Sequence, residues 1–336
     1  MKTTTLTHLA AALVLGVSAS AQAATQLSGA GATFPAPLYQ RWAVEYNKLN
    51  PDVQVNYQSV GSGAGVKQFT AGTVDFGASD AAMSDEEIAA VGKGVVMIPA
   101  TAGIEVFAYN LPGIDNLKLS REAFVGIYLG TITNWNDEAI AKHNPGVELP
   151  DMPINVAYRS DGSGTTYVFT QHLSAVSPEF NDEVGVDKSV TFPVGVGGKG
   201  NEGVTALIKQ SPGTIGYVEY GYATGNNLQM AVIENKSGNF IKPADDSGAA
   251  TLAHMELPAN LRAWPVDPEG KDDYPIATFS WLLLYGSYEN TEKLAALKAF
   301  VKWSLTDGQK YAPELGYIPL PAEVVTKAQA ALDTIK

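Results

Sequence analysis

From Gly29 onward the spacing of hydrophobic positions switches between a helical period and simple alternation. Pro35 and Pro37 suit a first helical turn, and Leu38, Trp42, Tyr46 and Leu49 recur at a spacing that predicts one apolar helix face, ending at Asn50-Pro51. Val53, Val55 and Tyr57 alternate with polar residues as a half-buried strand requires, until Gly61-Ser62-Gly63-Ala64-Gly65 breaks the pattern ahead of a helix from about Val66. Residues 74–78 predict a short strand running into Ser79-Asp80, and Ser84 with Glu87 forms a capping box for the next helix. The order strand, helix, strand, helix predicts a parallel sheet covered by helices.

The alternation then restarts. Residues 95–99 and 104–110 predict two strands, and Ser120 is a good N-cap for a helix over residues 121–129. Residues 154–158 predict a strand leading directly into Arg159, followed at helical spacing by Tyr167, Val168, Phe169, His172 and Leu173. A helix over residues 204–209 and strands over 214–218 and 228–233 come next. Residues 234–274 are polar with scattered Gly and Pro and predict no definite element. Residues 276–285 predict a strongly apolar strand, and 291–304 and 321–335 predict amphipathic helices. No internal repeat or low-complexity tract interrupts the chain.

The start of the chain changes this picture. Lys2, a mostly apolar run over residues 6–17, and the small-x-small triplet Ala21-Gln22-Ala23 predict a cleavable secretory signal over residues 1–23. The apolar run is shorter than the about 20 residues of a spanning helix. With no cysteine, neither a disulfide framework nor a lipid-modified N-terminal cysteine is available, so the expected product is exported and free in its compartment. Removing residues 1–23 from 336 leaves 313, enough for about two domains, and removing Lys2 takes the net charge from −13 to −14. That charge excludes nucleic acid and anionic membrane surfaces, both of which demand a basic face.

Candidate chemistry gathers in glycine- and hydroxyl-rich turns at the ends of predicted strands, where open parallel sheets bind ligands. These are residues 29–34, 61–65, Ser79-Asp80, and the segment Arg159-Ser160-Asp161-Gly162-Ser163-Gly164-Thr165. The last sets a guanidinium beside hydroxyls and exposed backbone N–H groups just before a helix, which is chemistry for holding an oxyanion. Asp161 is placed to orient Arg159, although a surface ion pair stiffening a loop has the same spacing. Asp80 is unexpected beside an anion. It either caps a turn and faces water, or it accepts a hydrogen bond from an anion that still carries a proton.

Several enzyme motifs fail in detail. Residues 195–200 resemble a P-loop, but Pro193 occupies the leading glycine position and Gly200 the Ser/Thr position; Gly29-Ala30-Gly31 has Phe34 in place of a third glycine. Asp161-Gly162-Ser163-Gly164 lacks the glycine that a nucleophile elbow needs two residues before its serine. His143, His172 and His254 are isolated and read as surface or helix residues, so no metal or other cofactor is expected. An exported phosphatase using Ser62 or Ser163 as nucleophile is thereby disfavoured.

Five segments, taken in order, resemble the periplasmic phosphate-binding proteins of the phosphate-specific ABC importer: residues 29–37, 74–80, 159–165, 197–201 and 216–220. The resemblance implies an α/β, two-domain hinged periplasmic-binding-protein fold of type II, each domain a mainly parallel sheet flanked by helices. It divides the chain into residues 24–103 plus 275–336, and residues 104–274. It also implies a ligand set of Thr33, Phe34 through its backbone N–H, Ser62 and Asp80 from one domain. Arg159, Ser163, Gly164 through its N–H, and Thr165 come from the other, with Asp161 pairing the arginine. Gly63 stands where such proteins often carry serine, and residues 234–273 diverge. The implied partners are inorganic phosphate and a membrane permease, the implied state is a monomer, and the alternative ligands are sulfate or molybdate.

Overall fold

A computed structural model describes residues 24–336, so the predicted export signal lies outside the described residues. The first part of the chain runs β1 (Thr25–Gly31), α1 (Ala36–Leu49), β2 (Val53–Ser59), α2 (Ser62–Thr70), β3 (Phe76–Ser79), α3 (Asp85–Ala89) and β4 (Val95–Tyr109). The middle continues with β5 (Lys118–Leu119), α4 (Arg121–Leu129), α5 (Glu138–Ala141), β6 (Asn155–Arg159), α6 (Gly164–Val176), α7 (Pro178–Glu183), β7 (Val196–Gly198), α8 (Gly200–Gln210) and β8 (Thr214–Glu219). It ends with α9 (Tyr220–Gly225), β9 (Gln229–Met230), β10 (Val232–Glu234), β11 (Phe240–Ile241), α10 (Asp245–Ala253), β12 (Ala277–Tyr285), α11 (Thr291–Ser304) and α12 (Ala322–Asp333).

The main sheet has the order β2-β1-β3-β12-β4-β8-β6-β7, with β9 also pairing β4. At one end β1 pairs in parallel with β2 and β3, and at the other β6 pairs in parallel with β8 and β7. Two antiparallel strands, β12 and β4, join these parallel sets. A second sheet of three strands has the order β11-β10-β5. Both faces of the central strands are covered: every residue of β12 and of β8 is buried, which explains the largely apolar run of β12. Among the described residues no helix is long and apolar enough to cross a membrane.

Local signals act as predicted where they are self-contained. Ser84 and Glu87 form their reciprocal capping box, and the Ser120 side chain accepts from the Ala123 N–H at the start of α4. Leu38, Trp42 and Tyr46 bury along α1, but Leu49 is 65% exposed, because Phe300 and Trp303 of α11 close the apolar stripe at Tyr46, one turn earlier.

Four predicted boundaries change. Residues 95–99 and 104–110 are not two strands but parts of the single 15-residue β4, since Thr101, Ala102 and Gly103 are small, buried and carry no turn signal. The irregularity sits within the strand instead: Thr101 faces Ser280 and Pro99 faces Trp281, leaving Ala100 as a bulge. The helix expected from Val66 starts at Ser62, so the glycine-rich segment is itself the first turn, and the helix expected from Val204 starts at Gly200. The strand expected over residues 228–233 divides into β9 and β10, which pair with β4 and with β5 and β11 respectively.

Residues 234–274, where the sequence predicts no definite element, contain β11 and α10, and the rest of their course is fixed by side chains. Asn235 Nδ2 donates to the carbonyls of Gly270, Lys271 and Asp273, and Arg121 pairs with Asp267 through both terminal nitrogens at 2.6 and 2.7 Å. Trp281 Nε1 donates to the Leu261 carbonyl at 2.9 Å and its ring meets Trp264, fixing this segment against β12.

Candidate anion-binding site

The four turns singled out from sequence follow the ends of β1, β2, β3 and β6 and meet in one enclosed cluster. Thr33, Phe34, Ser62, Asp80, Arg159, Ser163 and Thr165 are each no more than 5% exposed. Ser62 Oγ donates to Asp80 Oδ2 at 3.3 Å and accepts from the Asp80 N–H at 3.3 Å. A Cβ on Gly164 would stand 2.6 Å from Asp80 Cβ and from Ser62 Oγ, so the start of α6 rests directly against that pair. Among the described residues the backbone N–H groups of Phe34, Gly164 and Thr165 meet no protein acceptor. At a helix start such N–H groups form a partial positive charge.

Arg159 supplies the full positive charge. Its Nε and Nη2 donate to Asp161 at 2.8 and 2.6 Å, and Nη1 donates to Thr165 Oγ1 at 3.2 Å. Three of five N–H groups are thus used among the described residues, leaving two for a ligand. Asp161 also accepts from the Gly200 N–H at 3.0 Å. Burial works to raise the Asp161 carboxyl, but the bonds and charge of Arg159, with Gly200, outweigh it and hold it below the usual carboxylate range. The pair therefore orients a guanidinium inside the protein rather than stiffening an exposed loop.

Asp80 is in the opposite condition. Burial is the largest influence and lifts its carboxyl to about 7, against the opposing pulls of the Ser280 hydrogen bond, the Arg159 charge and Ser62. Ser280 Oγ donates to Asp80 Oδ1 at 2.6 Å. The turn-capping alternative, with Asp80 facing water, is excluded by its 1% exposure. Ser163 also serves its own helix, since its Oγ accepts from the Thr166 N–H as N-cap of α6, leaving the hydroxyl proton to donate elsewhere.

Three features of the cluster have no role assigned from the sequence, although Asn201 and Glu219 lie in segments that carry the resemblance. Asn201, fully buried, donates to Thr33 Oγ1 from its backbone N and Nδ2 at 3.1 and 2.8 Å, and approaches Thr165 Oγ1 at 3.4 Å. It links the β1 turn to α6. Ser280 is hidden in an apolar strand, where its hydroxyl is the only local signal. Glu105 and Glu219 face each other across β4 and β8, fully buried, with both Glu105 oxygens unpartnered. Burial first, then the Asp80 charge, raises the Glu105 carboxyl well above the usual range. His172, expected at the surface or in a helix, lies buried in α6, and burial lowers its ring to about 4.

The segments carrying these groups also touch across the cluster. The Gly63 N–H donates to the Gly162 carbonyl at 2.8 Å, and a Cβ on Gly63 would come 3.0 Å from Gly162 Cα. Tyr222 Oη donates to the Thr33 carbonyl at 2.7 Å, Arg262 pairs with Asp85 at 2.6 Å, and Lys188 pairs with Glu87. Beside this seam an open cleft is lined by Ala81, Met83, Tyr167, Lys188, Arg262 and Trp264.

A profile described as the PBP superfamily domain matches residues 16–308. The phosphate-binding protein PstS of Pasteurella multocida is 44% identical over 327 residues, covering 96% of this chain and 94% of that protein. The chain belongs to the PstS phosphate-binding protein family. Another relative, the PstS of Methanocaldococcus jannaschii, is 38% identical and covers 91% of this chain and 85% of its own length. Among solved structures, a phosphate-binding protein from Stenotrophomonas maltophilia superposes with a TM-score of 0.73 at 24% identity, covering 91% of this chain and 93% of that one. An ABC-type phosphate transport receptor from Vibrio cholerae superposes with a TM-score of 0.57 at 21% identity, covering 88% and 100%. These likenesses place the fold among two-domain binding proteins of type II.

Proposed function

We propose that the chain binds inorganic phosphate in the periplasm, without transforming it, and delivers it to the membrane permease of a phosphate ABC importer. The observation that carries this reading is the pairing of one oriented cation with one buried acceptor in a single enclosed cluster: Arg159 held by Asp161, and Asp80 beside Ser62 and the start of α6. A tetrahedral oxyanion needs donors on most of its oxygens. Thr33, the Phe34 N–H, Arg159, Ser163, the Gly164 N–H and Thr165 supply them, joined by Ser62 when its proton turns from Asp80 to the ligand. An oxyanion that keeps one proton also needs an acceptor, and Asp80 is that group. Phosphate near neutral pH meets both requirements, whereas sulfate meets only the first.

The domain division at residues 24–103 with 275–336, and 104–274, belongs to this proposal. It is supported by the change of partner along β4, which pairs with β12 up to Ile104 and with β8 from Glu105, and by the Glu105 N–H donating to the Ile276 carbonyl at 3.0 Å. Ligand groups then come from both domains, so binding stabilises the closed arrangement by its differential affinity for it. The contacts between Gly63 and Gly162 and between Tyr222 and Thr33 are those of the closed state.

Calorimetric titration tests the reading. Wild-type protein binds phosphate, and Arg159→Ala loses affinity by about 10²–10³-fold or more, as removal of two charge-assisted hydrogen bonds requires. Undiminished phosphate affinity in that variant would sink the assignment. Tighter binding of sulfate or molybdate than of phosphate would retain the fold but replace the ligand.

A further inference from the structure

The Asp80 carboxylate is held from behind by a residue that makes no claim on a ligand. Ser280 lies in β12, is fully buried, and gives its only hydroxyl proton to Asp80 Oδ1 at 2.6 Å. Its neighbour two residues earlier, Thr278, spends its hydroxyl on the Phe279 carbonyl at 2.9 Å instead. The strand is irregular just here: Ser280 faces Thr101, Trp281 faces Pro99, and Ala100 bulges between them. Bulges of this kind re-aim a side chain beside a site. Trp281 is in turn paired with Ser79, the residue before Asp80, so β3 and β12 fix the distance between the hydroxyl and the carboxylate.

The bond divides the labour of the two carboxylate oxygens. Oδ1 accepts the short bond from Ser280, while Oδ2 accepts only a longer one from Ser62 at 3.3 Å, keeps a second lone pair, and is the carboxylate oxygen that faces the Gly164 position. We propose, building on the phosphate reading above, that Ser280 is the positioning residue that sets the site's preference for a protonated oxyanion, by keeping Asp80 an acceptor with Oδ2 turned to the ligand. Without the Ser280 hydroxyl, Oδ1 is a buried oxygen with no donor, and the carboxyl retains a proton more readily. A protonated Asp80 donates rather than accepts, and the same cluster then suits an anion that has no proton. The other ionisable groups felt around Asp80 are Arg159, Glu105, Glu219, Tyr39, Tyr57 and Tyr317. They are left in place by a substitution at position 280. Tyr39 comes nearest to an alternative donor, but its hydroxyl is buried beside Ser280 without a hydrogen bond at ordinary geometry.

The test is phosphate and sulfate titration of the full chain between pH 5 and pH 9, for wild type, Ser280→Ala, Ser280→Thr and Asp80→Asn. Ser280→Ala is expected to weaken phosphate and strengthen sulfate, lowering their affinity ratio about tenfold or more, as loss of one hydrogen bond to a buried charge implies. The pH at which sulfate binding is half lost moves upward, and Ser280→Thr, which keeps the hydroxyl, restores the wild-type ratio and midpoint. Should Ser280→Ala fail to fold, Ser280→Cys keeps the volume with only a weak donor and is expected to behave alike. An unchanged ratio and midpoint, or equal weakening of both anions, overturns the proposal. Asp80→Asn separates the layers: if it leaves the ratio unchanged, the role of Asp80 itself is wrong and the Ser280 inference falls with it. A wild type that binds neither anion overturns the phosphate reading instead.

Discussion

In the proposed ligand set Asp80 is the acceptor among groups that otherwise donate. Its burial-raised carboxyl, at about 7, gives that role a direction in pH. Sulfate carries no proton in this range, so its binding requires Asp80 to hold one. Above about pH 7 the protonated fraction falls about tenfold per unit, and sulfate affinity follows it down; below that point the curve levels. Phosphate brings its own proton throughout, so its affinity does not show this fall. Parallel titrations of the two anions across pH 6–9 check the difference, and a sulfate curve as flat as that of phosphate would remove Asp80 from the role. At this scale the sequence is legible where chemistry is local. Arg159 and Asp161 are two residues apart, and their pairing needs no knowledge of the fold. Asn201 and Ser280 reach the cluster from 168 and 200 residues away, across α8 and β12, and neither carries a charge to mark it.

The start of α6 is the element on which the two sides of the cluster converge. A helix start offers free N–H groups, but only a residue without a side chain lets Asp80 and Ser62 come this near. Gly164→Ala therefore separates two effects. Alanine favours the helix by up to about 1 kcal/mol, so the thermal midpoint of ligand-free protein holds or rises. Its Cβ would stand 2.6–2.7 Å from Asp80 and Ser62 in the closed arrangement, so phosphate affinity falls on the order of a hundredfold. Calorimetry paired with thermal unfolding measures both; a parallel loss of stability and affinity would show that the glycine serves α6 alone. Elements with their own start signals, such as α3 after Ser84 and α4 after Ser120, are readable from the chain alone. Those whose limits depend on partners are not: β4 is one strand only because β12 and β8 take over from each other along it, and residues 255–274 owe their course to Asn235, Arg121 and Trp281.

For the whole molecule, the formal charge of −13 repels the anion proposed as its ligand, so recognition has to come from short contacts in a dry cluster rather than from long-range attraction. The same sheet that brings those contacts together also constrains how the chain reaches its native state. β12 lies between β3 and β4, although it follows β4 by about 170 residues and β3 by about 200, so the N-terminal half cannot complete its sheet until residues 277–285 arrive. Pairings of such long sequence separation are slow to form. A chain emerging from a ribosome or a translocation pore, N-terminus first, holds the facing edges of β3 and β4 open for about half of its passage. Truncation before residue 277 is accordingly expected to yield an aggregating product rather than a smaller folded protein, as sedimentation and circular dichroism would report. A separately added peptide spanning residues 277–336 is expected to rescue solubility. Until residues 277–285 are delivered, two strand edges formed early in the chain have no partner between them, and protection from aggregation has to come from outside the sheet.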